Sequence, residues 1–186
     1  GQVTYINCKS SSNGTTGFTD SGSCAYFDCE SASNTSSGFS SITLGSRFVG
    51  CYSHDNTGAG FSETAANTLV SFAFCIAEAN GAGGFGLTSF RGLLINCVAD
   101  GNTGAGSDGF SVTTPGTCSV VLNSIFSNNG RYGAGATDGD SLSIDYCNYF
   151  GNATAARNNI PTGANDQALD PQFVDRANGD FGIGTN

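Results

Sequence analysis

The sequence predicts an all-β solenoid, a fold in which one short unit repeats along the chain and stacks on itself. A cysteine, an asparagine and a phenylalanine recur together with a period of 21 to 24 residues. The composition agrees, because 28 glycines, three prolines and 11% charged residues are typical of short strands joined by tight turns. We therefore expect about seven stacked coils around a shared interior.

The cysteines set the register of the repeat. Each one follows a short apolar strand, such as TYIN before Cys8 and LLIN before Cys97, and a serine takes the sixth place. The column is Cys8, Cys29, Cys51, Cys75, Cys97, Ser124 and Cys147. Side chains at equivalent positions of stacked coils lie above one another, so we expect this column to be interior. Cysteine suits such a place because it behaves as a small hydrophobe.

An asparagine stands five residues after every member of the cysteine column. These asparagines are Asn13, Asn34, Asn56, Asn80, Asn102, Asn129 and Asn152. An asparagine at a bend can hydrogen-bond its own coil and the amide of the next one, so the series predicts a structural ladder.

A Gly-Phe pair follows the asparagine in each of the first five coils. Its phenylalanines are Phe18, Phe39, Phe61, Phe85 and Phe110. Each is expected to begin a strand with a large inward ring. We expect the glycine to provide a positive φ at a sharp corner.

The recurring form of apolar strand, Cys, polar turn with Asn and Gly-Phe resembles the coils of right-handed parallel β-helix proteins of the pectate-lyase-like superfold. The stretch DPQFVDRANGDFGIG, residues 170–184, is similar to the segment that closes many secreted and phage-encoded β-helix proteins. The resemblance implies a single-stranded right-handed parallel β-helix, with coils in residues 1–152 and a C-terminal closing segment, residues 153–186, packed on the same domain. Since the chain begins at Gly1 and contains no methionine, we expect a processed chain or a segment of a longer one.

The eight cysteines could form disulfides or remain free. A disulfide needs Cβ atoms turned toward each other, whereas stacked side chains point the same way. Free buried thiols are therefore favoured for the column, and the state of Cys24 and Cys118 is left open. No CxxC pair offers the usual spacing of a zinc site.

The charge balance limits the partners. A formal net charge of −9 disfavours nucleic acid, anionic membranes and polyanionic polysaccharides, whereas a neutral or amine-bearing glycan escapes this repulsion. No apolar run approaches the ~18 residues that a membrane helix needs, so we expect no membrane insertion.

Four carboxylates are the best candidates for catalysis by a glycoside hydrolase: Asp100, Asp108, Asp138 and Asp140. They occupy different positions in the repeat, and aspartate in a Gly-rich turn most often caps its own backbone, so no catalytic residue is predicted. Asp138 and Asp140 could instead form a weak calcium site, because oxygen ligands cluster there. No other cofactor is expected.

The basic residues offer no convergent site for a lyase either. Lys9 and the five arginines fall at different positions of the repeat, and we interpret them as surface charges. His54 is interpreted as a solvated turn residue beside Asp55, because no serine or cysteine is placed to make a triad.

These observations favour a non-catalytic structural and binding module of a virion or extracellular surface assembly, such as a phage spike, fibre or decoration, or a bacterial filament or adhesin. Such a module would work in a homo-oligomer or larger assembly at the cell surface, outside the cell or on a virion, and could contact glycans. The alternative is a polysaccharide lyase or glycoside hydrolase domain acting on an extended glycan. The superfold hosts both classes, so the resemblance specifies fold rather than activity.

Overall fold

The computed structural model describes residues 2–41, 45–64, 69–113, 119–139 and 142–184. The chain is a right-handed parallel β-helix, and the predicted fold class is confirmed. Three parallel sheets of seven strands each run along it, and we call them sheets A, B and C. Each coil contributes one strand to each sheet, in that order along the chain. No described helix is long and apolar enough to cross a membrane.

The strands are short, mostly of three or four residues. Sheet A consists of β1 (Val3–Ile6), β4 (Cys24–Phe27), β7 (Arg47–Val49), β10 (Ser71–Ala73), β13 (Leu93–Ile95), β16 (Ser119–Leu122) and β19 (Leu142–Asp145). Sheet B consists of β2 (Lys9–Ser11), β5 (Glu30–Ala32), β8 (Tyr52–His54), β11 (Ile76–Glu78), β14 (Val98–Asp100), β17 (Ile125–Ser127) and β20 (Asn148–Phe150). Sheet C consists of β3 (Phe18–Asp20), β6 (Phe39–Ser41), β9 (Phe61–Glu63), β12 (Phe85–Leu87), β15 (Phe110–Val112), β18 (Tyr132–Ala136) and β21 (Ala155–Asn158).

The first part of the C-terminal segment, residues 153–186, still belongs to the coils, because it contains β21, the last strand of sheet C. Further along, β22 (Phe173–Asp175) and β23 (Asp180–Ile183) form an antiparallel hairpin around a short 3₁₀ turn, Arg176–Asn178.

The corners between sheets turn on single residues in the left-handed region. One residue precedes each member of the cysteine column and another precedes each ladder asparagine, with φ between 47° and 65°. The first set is Asn7, Asp28, Gly50, Phe74, Asn96, Asn123 and Tyr146. The second set is Ser12, Ser33, Asp55, Ala79, Gly101, Asn128 and Gly151. Most are the Asn, Asp or Gly that tolerate this conformation, whereas the bulky Phe74 and Tyr146 do not favour it.

The cysteine column lies inside the coil. Cys29, Cys51 and Cys97 are each 1% exposed, and the Sγ of Cys97 donates to the Ile95 carbonyl at 3.3 Å. Ser124 reproduces this contact, because its Oγ donates to the Leu122 carbonyl at 2.8 Å. All seven cysteines that the structure describes are free thiols, Cys24 among them, and Cys118 lies outside the described residues.

The predicted asparagine ladder is confirmed. The side-chain oxygen of Asn56 accepts both the backbone N–H of Asn34 at 3.0 Å and its side-chain amide at 2.9 Å. The oxygen of Asn102 does the same for Asn80, at 3.0 and 3.1 Å. Each coil is therefore joined to the next by a pair of hydrogen bonds at this corner, and the pairs of the central coils are buried.

The sequence predicted a positive φ at the glycines of the Gly-Phe pairs. In the structure these glycines instead allow close packing. The φ angle is not positive at Gly38, Gly60 or Gly84. A Cβ atom on Gly60 would lie 2.8 Å from the Asn80 Nδ2 and 2.9 Å from the Gly84 carbonyl oxygen. The expectation of a positive φ was wrong. Glycine is needed here because the asparagine ladder approaches so closely that only a hydrogen atom fits in place of a Cβ.

Gly60→Ala is therefore expected to destabilise the protein by about 1 to 3 kcal/mol, the usual cost of overpacking. Gly86→Ala is the matched control, since a Cβ there would meet its nearest neighbour, the Ala59 Cβ, at 3.5 Å. The control should be neutral or slightly stabilising, because alanine restricts the unfolded chain. Urea unfolding of both variants checks the difference, and equal stabilities would contradict the close approach.

Two aromatic columns fill the interior of the first four coils. The phenylalanines of sheet C stack at 4.9 to 5.0 Å between centroids. A second column on sheet A, Tyr5, Tyr26, Phe48 and Phe72, stacks at 4.9 to 5.1 Å and meets the first edge-on. This second column was not predicted, although its members all stand three residues before the column cysteines. Coil five substitutes Leu94 at the same place, and sheet C substitutes Ala134 in coil six.

Residues after β21 cover the C-terminal end of the coils. Gln167 forms a parallel bridge with Asn148 of β20, which extends sheet B by one position. Asp166 accepts the Cys147 N–H at 2.9 Å and forms an ion pair with Arg157 at 2.8 Å. The exposed edge of the seventh coil is thereby partly paired.

Candidate functional site

Asp100 ties the C-terminal hairpin to the coils. It ends β14 on the outer face of sheet B, and its side chain is 0% exposed. One carboxylate oxygen accepts the Ser127 Oγ at 2.6 Å and the Asn128 Nδ2 at 2.8 Å. The other forms an ion pair with Arg176 from the hairpin. Asp100 is thus a strand residue with a fully occupied carboxylate, not a turn residue.

Asp108 ties the loop of coil five to coil six. Its side chain is 3% exposed and makes two parallel hydrogen bonds with Arg131, at 2.8 and 2.7 Å. It also accepts the Tyr132 N–H at 3.1 Å. This hydrogen bonding raises the pKa of Arg131. A cleft of about 290 Å³ opens beside the pair, with Ser111 and Asn158 in its wall.

The structure places the three described candidate carboxylates apart from one another. Asp100 lies on sheet B, Asp108 lies just before sheet C, and Asp138 is exposed after β18. Asp140 lies outside the described residues, so the calcium site remains a prediction. Within the described ranges, no group of three or more His, Cys, Asp or Glu side chains could hold a metal ion.

Three of the arginines interpreted as surface charges make specific ion pairs, although the side chains of Arg131 and Arg176 stay 45% and 48% exposed. Arg131, Arg157 and Arg176 each bind a carboxylate whose side chain is at most 4% exposed. Such charge-assisted hydrogen bonds are strong, and a buried carboxylate needs one. These arginines therefore fasten the non-repeating parts of the chain to the regular coils.

His54 is not the solvated turn residue that the sequence suggested. It ends strand β8, and its side chain is 21% exposed. Its ring stacks on Tyr52 at 4.3 Å between centroids, and its Nε2 lies 3.6 Å from a Glu30 oxygen. Glu30 pairs with Lys9 at 2.6 Å, and Tyr52 donates to Glu78. We call these five residues of coils one to four the sheet B cluster.

The sheet B cluster holds both acidic and proton-donating groups. The hydrogen bond from Lys9 to Glu30 is the main cause that lowers the pKa of Glu30, so Glu30 is ionised at neutral pH. Burial, followed by the bond to Glu78, raises the pKa of Tyr52 and keeps it a phenol. Glu30 and Glu78 lie two coils apart, about 10 Å in the stacking direction at the usual strand spacing, and they are also offset by two positions along the strand.

A signal for the cluster was present in the sequence. Glu30 and Tyr52 both stand one residue after a column cysteine, whereas His54 and Glu78 stand three residues after one. These two outward columns are neighbours on one strand face, because side chains alternate along a strand. The interacting groups differ in type, so no single residue type repeats at one position to mark the cluster.

A larger cleft separates sheet B from the C-terminal segment. Its volume is about 510 Å³. Val98 and Ile125 of sheet B lie on one side, and Leu169 and Ile183 of the C-terminal segment lie on the other. We call this space the tail cleft.

No protein-family model matches the chain, and no curated protein matches it in sequence. Among solved structures, the chain is similar to the A-module of the mannuronan C-5 epimerase AlgE4 of Azotobacter vinelandii, with a TM-score of 0.62 and 10% identity. That match covers 90% of this chain and 57% of the module. The A-module of the epimerase AlgE6 of the same organism gives a TM-score of 0.46 and 15% identity over 89% of this chain and 56% of that one.

The likeness to the AlgE4 module defines the class of protein. The chain is a right-handed parallel β-helix repeat protein, which is the class that its three sheets and its asparagine ladder indicate. At 10% identity the likeness concerns the fold alone, and the chain spans little more than half of either module.

Proposed function

We propose that this chain is a non-catalytic structural and binding module of a virion or extracellular surface assembly. The observation that carries the proposal is the state of Asp100 and Asp108, the leading carboxylate candidates. Both are nearly inaccessible, and each is occupied by an arginine. A general acid or base must reach its substrate within hydrogen-bonding distance, which these groups cannot do without releasing their partners.

The outer face of sheet A supports a role in assembly. One outward position is apolar in six successive coils: Ile6, Phe27, Val49, Ala73, Ile95 and Leu122. Ile6 is 66% exposed, and Phe74 at the neighbouring corner is 61% exposed. A contiguous apolar stripe of this kind is typical of a surface that meets another protein, either a second copy or a different chain. Because of this stripe, we expect the chain to form a homo-oligomer or to join a larger assembly.

The experiment measures turnover and stability together. Purified protein is incubated with neutral and acidic polysaccharides, and products are followed by NMR and chromatography; we expect none. Asp100→Asn should destabilise the protein by about 1 to 3 kcal/mol, because Arg176 loses its charged partner. Hydrogen exchange in residues 173–183 should quicken. Turnover that Asp100→Asn abolishes, with no change in exchange, would refute the proposal.

The sheet B cluster favours one alternative, a polysaccharide lyase or glycoside hydrolase. The AlgE4 module, which shares the fold, is itself an epimerase of mannuronan. Glu30 and Tyr52 could act as base and acid at the chain surface. Product formation that Glu30→Gln removes, and that Ser62→Ala on sheet C leaves intact, would establish this alternative instead.

A further inference from the structure

We infer that the tail cleft binds a short neutral oligosaccharide. The inference deepens the proposed function and rests on it, since it names the ligand class and the place of a binding module. The cleft volume of about 510 Å³ falls in the range of small-ligand sites.

The walls of the tail cleft are apolar and partly uncovered. Val98 and Ile125 form part of the sheet B wall, and Leu169 is 64% exposed and Ile183 57% exposed on the opposite side. Tyr146 lies at the rim, 60% exposed. Apolar side chains gain free energy when a ligand covers them, and the C–H faces of a sugar ring suit aliphatic and aromatic surfaces.

Uncharged amides provide the polar contacts of the tail cleft. The Asn123 Nδ2 donates to the Asn96 Oδ1 at 2.6 Å. The Asn96 Nδ2, the Asn123 Oδ1 and the side-chain amide of Gln167 have no hydrogen-bond partner within the described parts of the chain. A free donor next to a free acceptor matches neighbouring sugar hydroxyls, each of which both donates and accepts.

The charge of the cleft selects a neutral ligand. Asp170 is the one charged residue in the described lining, and the whole chain carries −9, so an anionic sugar would be repelled. A peptide could not add a strand to the sheet B wall, because β14 and β17 are each paired on both sides.

The tail wall is fixed before any ligand arrives. Asn148 donates to the Leu169 carbonyl at 2.8 Å and accepts the Leu169 N–H at 3.0 Å. Asn165 is held by the Asp145 carboxylate at 2.8 and 3.0 Å. A preorganised wall lowers the entropic cost of binding one end or one segment of a glycan.

The test is an NMR titration of the full chain with neutral trisaccharides of glucose, galactose, mannose or N-acetylglucosamine. We expect the side-chain amide signals of Asn96, Asn123 and Gln167 to shift with at least one of them. Asn123→Asp should weaken binding about five- to tenfold, the worth of about one hydrogen bond. Asn158→Asp is the control, because it adds the same charge on sheet C.

The outcomes separate the inference from the proposed function. Unmoved cleft signals with every sugar, or equal weakening by both variants, would overturn the inference. Shifts caused by an uncharged peptide but by no sugar would overturn it as well. Conversion of the trisaccharide during the titration would instead overturn the non-catalytic function, while binding in the tail cleft would stand.

Discussion

Phe61→Ala is expected to destabilise the protein by about 3 to 5 kcal/mol, the usual cost of removing a buried aromatic ring. The Phe61 ring is 1% exposed and stacks between Phe39 and Phe85, at 5.0 and 4.9 Å. It also meets Phe48 and Phe72 edge-on, at 5.7 and 5.5 Å. Alanine would leave a cavity that the stacked coils above and below hold open. Urea unfolding followed by circular dichroism measures the loss.

Phe74→Ala provides the matched control for this substitution. Phe74 is 61% exposed at a corner, so its removal should change stability little, and alanine keeps the Cβ atom and hence the left-handed backbone of this position. Phe85→Ala should behave like Phe61→Ala, because its ring is also buried. If Phe61→Ala proved as mild as Phe74→Ala, the alignment of the coils would be refuted.

Asn80→Leu is expected to cost at least about 3 kcal/mol, although leucine has a similar size. The Asn80 Oδ1 accepts the backbone N–H and the side-chain amide of Asn56, at 3.2 and 3.0 Å. Its Nδ2 donates to the Ser53 carbonyl at 3.0 Å and to the Asn102 Oδ1 at 3.1 Å. Leucine would leave the buried Asn56 N–H without its partner, and it would remove one hydrogen bond each from the Asn56 side-chain amide, the Ser53 carbonyl and the Asn102 side chain. Each buried group left unpaired costs about 1 to 3 kcal/mol.

Asn13→Leu changes the same column where it reaches solvent. Asn13 lies in the first coil and is exposed, and it donates to the Asn34 Oδ1 at 3.0 and 2.8 Å. Water can replace the lost side-chain bond, so the substitution should cost much less than Asn80→Leu. Equal costs in thermal unfolding would show that ladder position, and hence burial of the amides, does not matter.

The interior could be predicted because a solenoid repeats its own contacts. Once Cys51 and Cys75 are aligned, every residue at the same offset shares a column, so Asn56 must lie beside Asn80 and Phe61 beside Phe85. Local sequence and long-range packing carry the same information in such a fold. The outer surface follows a different rule, because its partners differ from coil to coil.

The candidate sites could not be derived in the same way. The ion pair of Asp100 with Arg176 joins residues 76 positions apart, and nothing in the repeat specifies where the hairpin folds back. The contact of Glu30 with His54 crosses from one outward column to the next. Each depends on which side chains happen to face each other after stacking.

By itself, the sequence determined the all-β solenoid, its period and the columns of cysteine, asparagine and phenylalanine, because stacking brings equivalent positions into contact. The tertiary structure alone decided the rest. It holds Phe74 and Tyr146 in a left-handed corner that their side chains disfavour, because the coils on either side impose that turn. It requires glycine at Gly60 because the asparagine ladder comes too close for a Cβ atom. It also folds the C-terminal hairpin against sheet B, which buries Asp100 and forms the tail cleft.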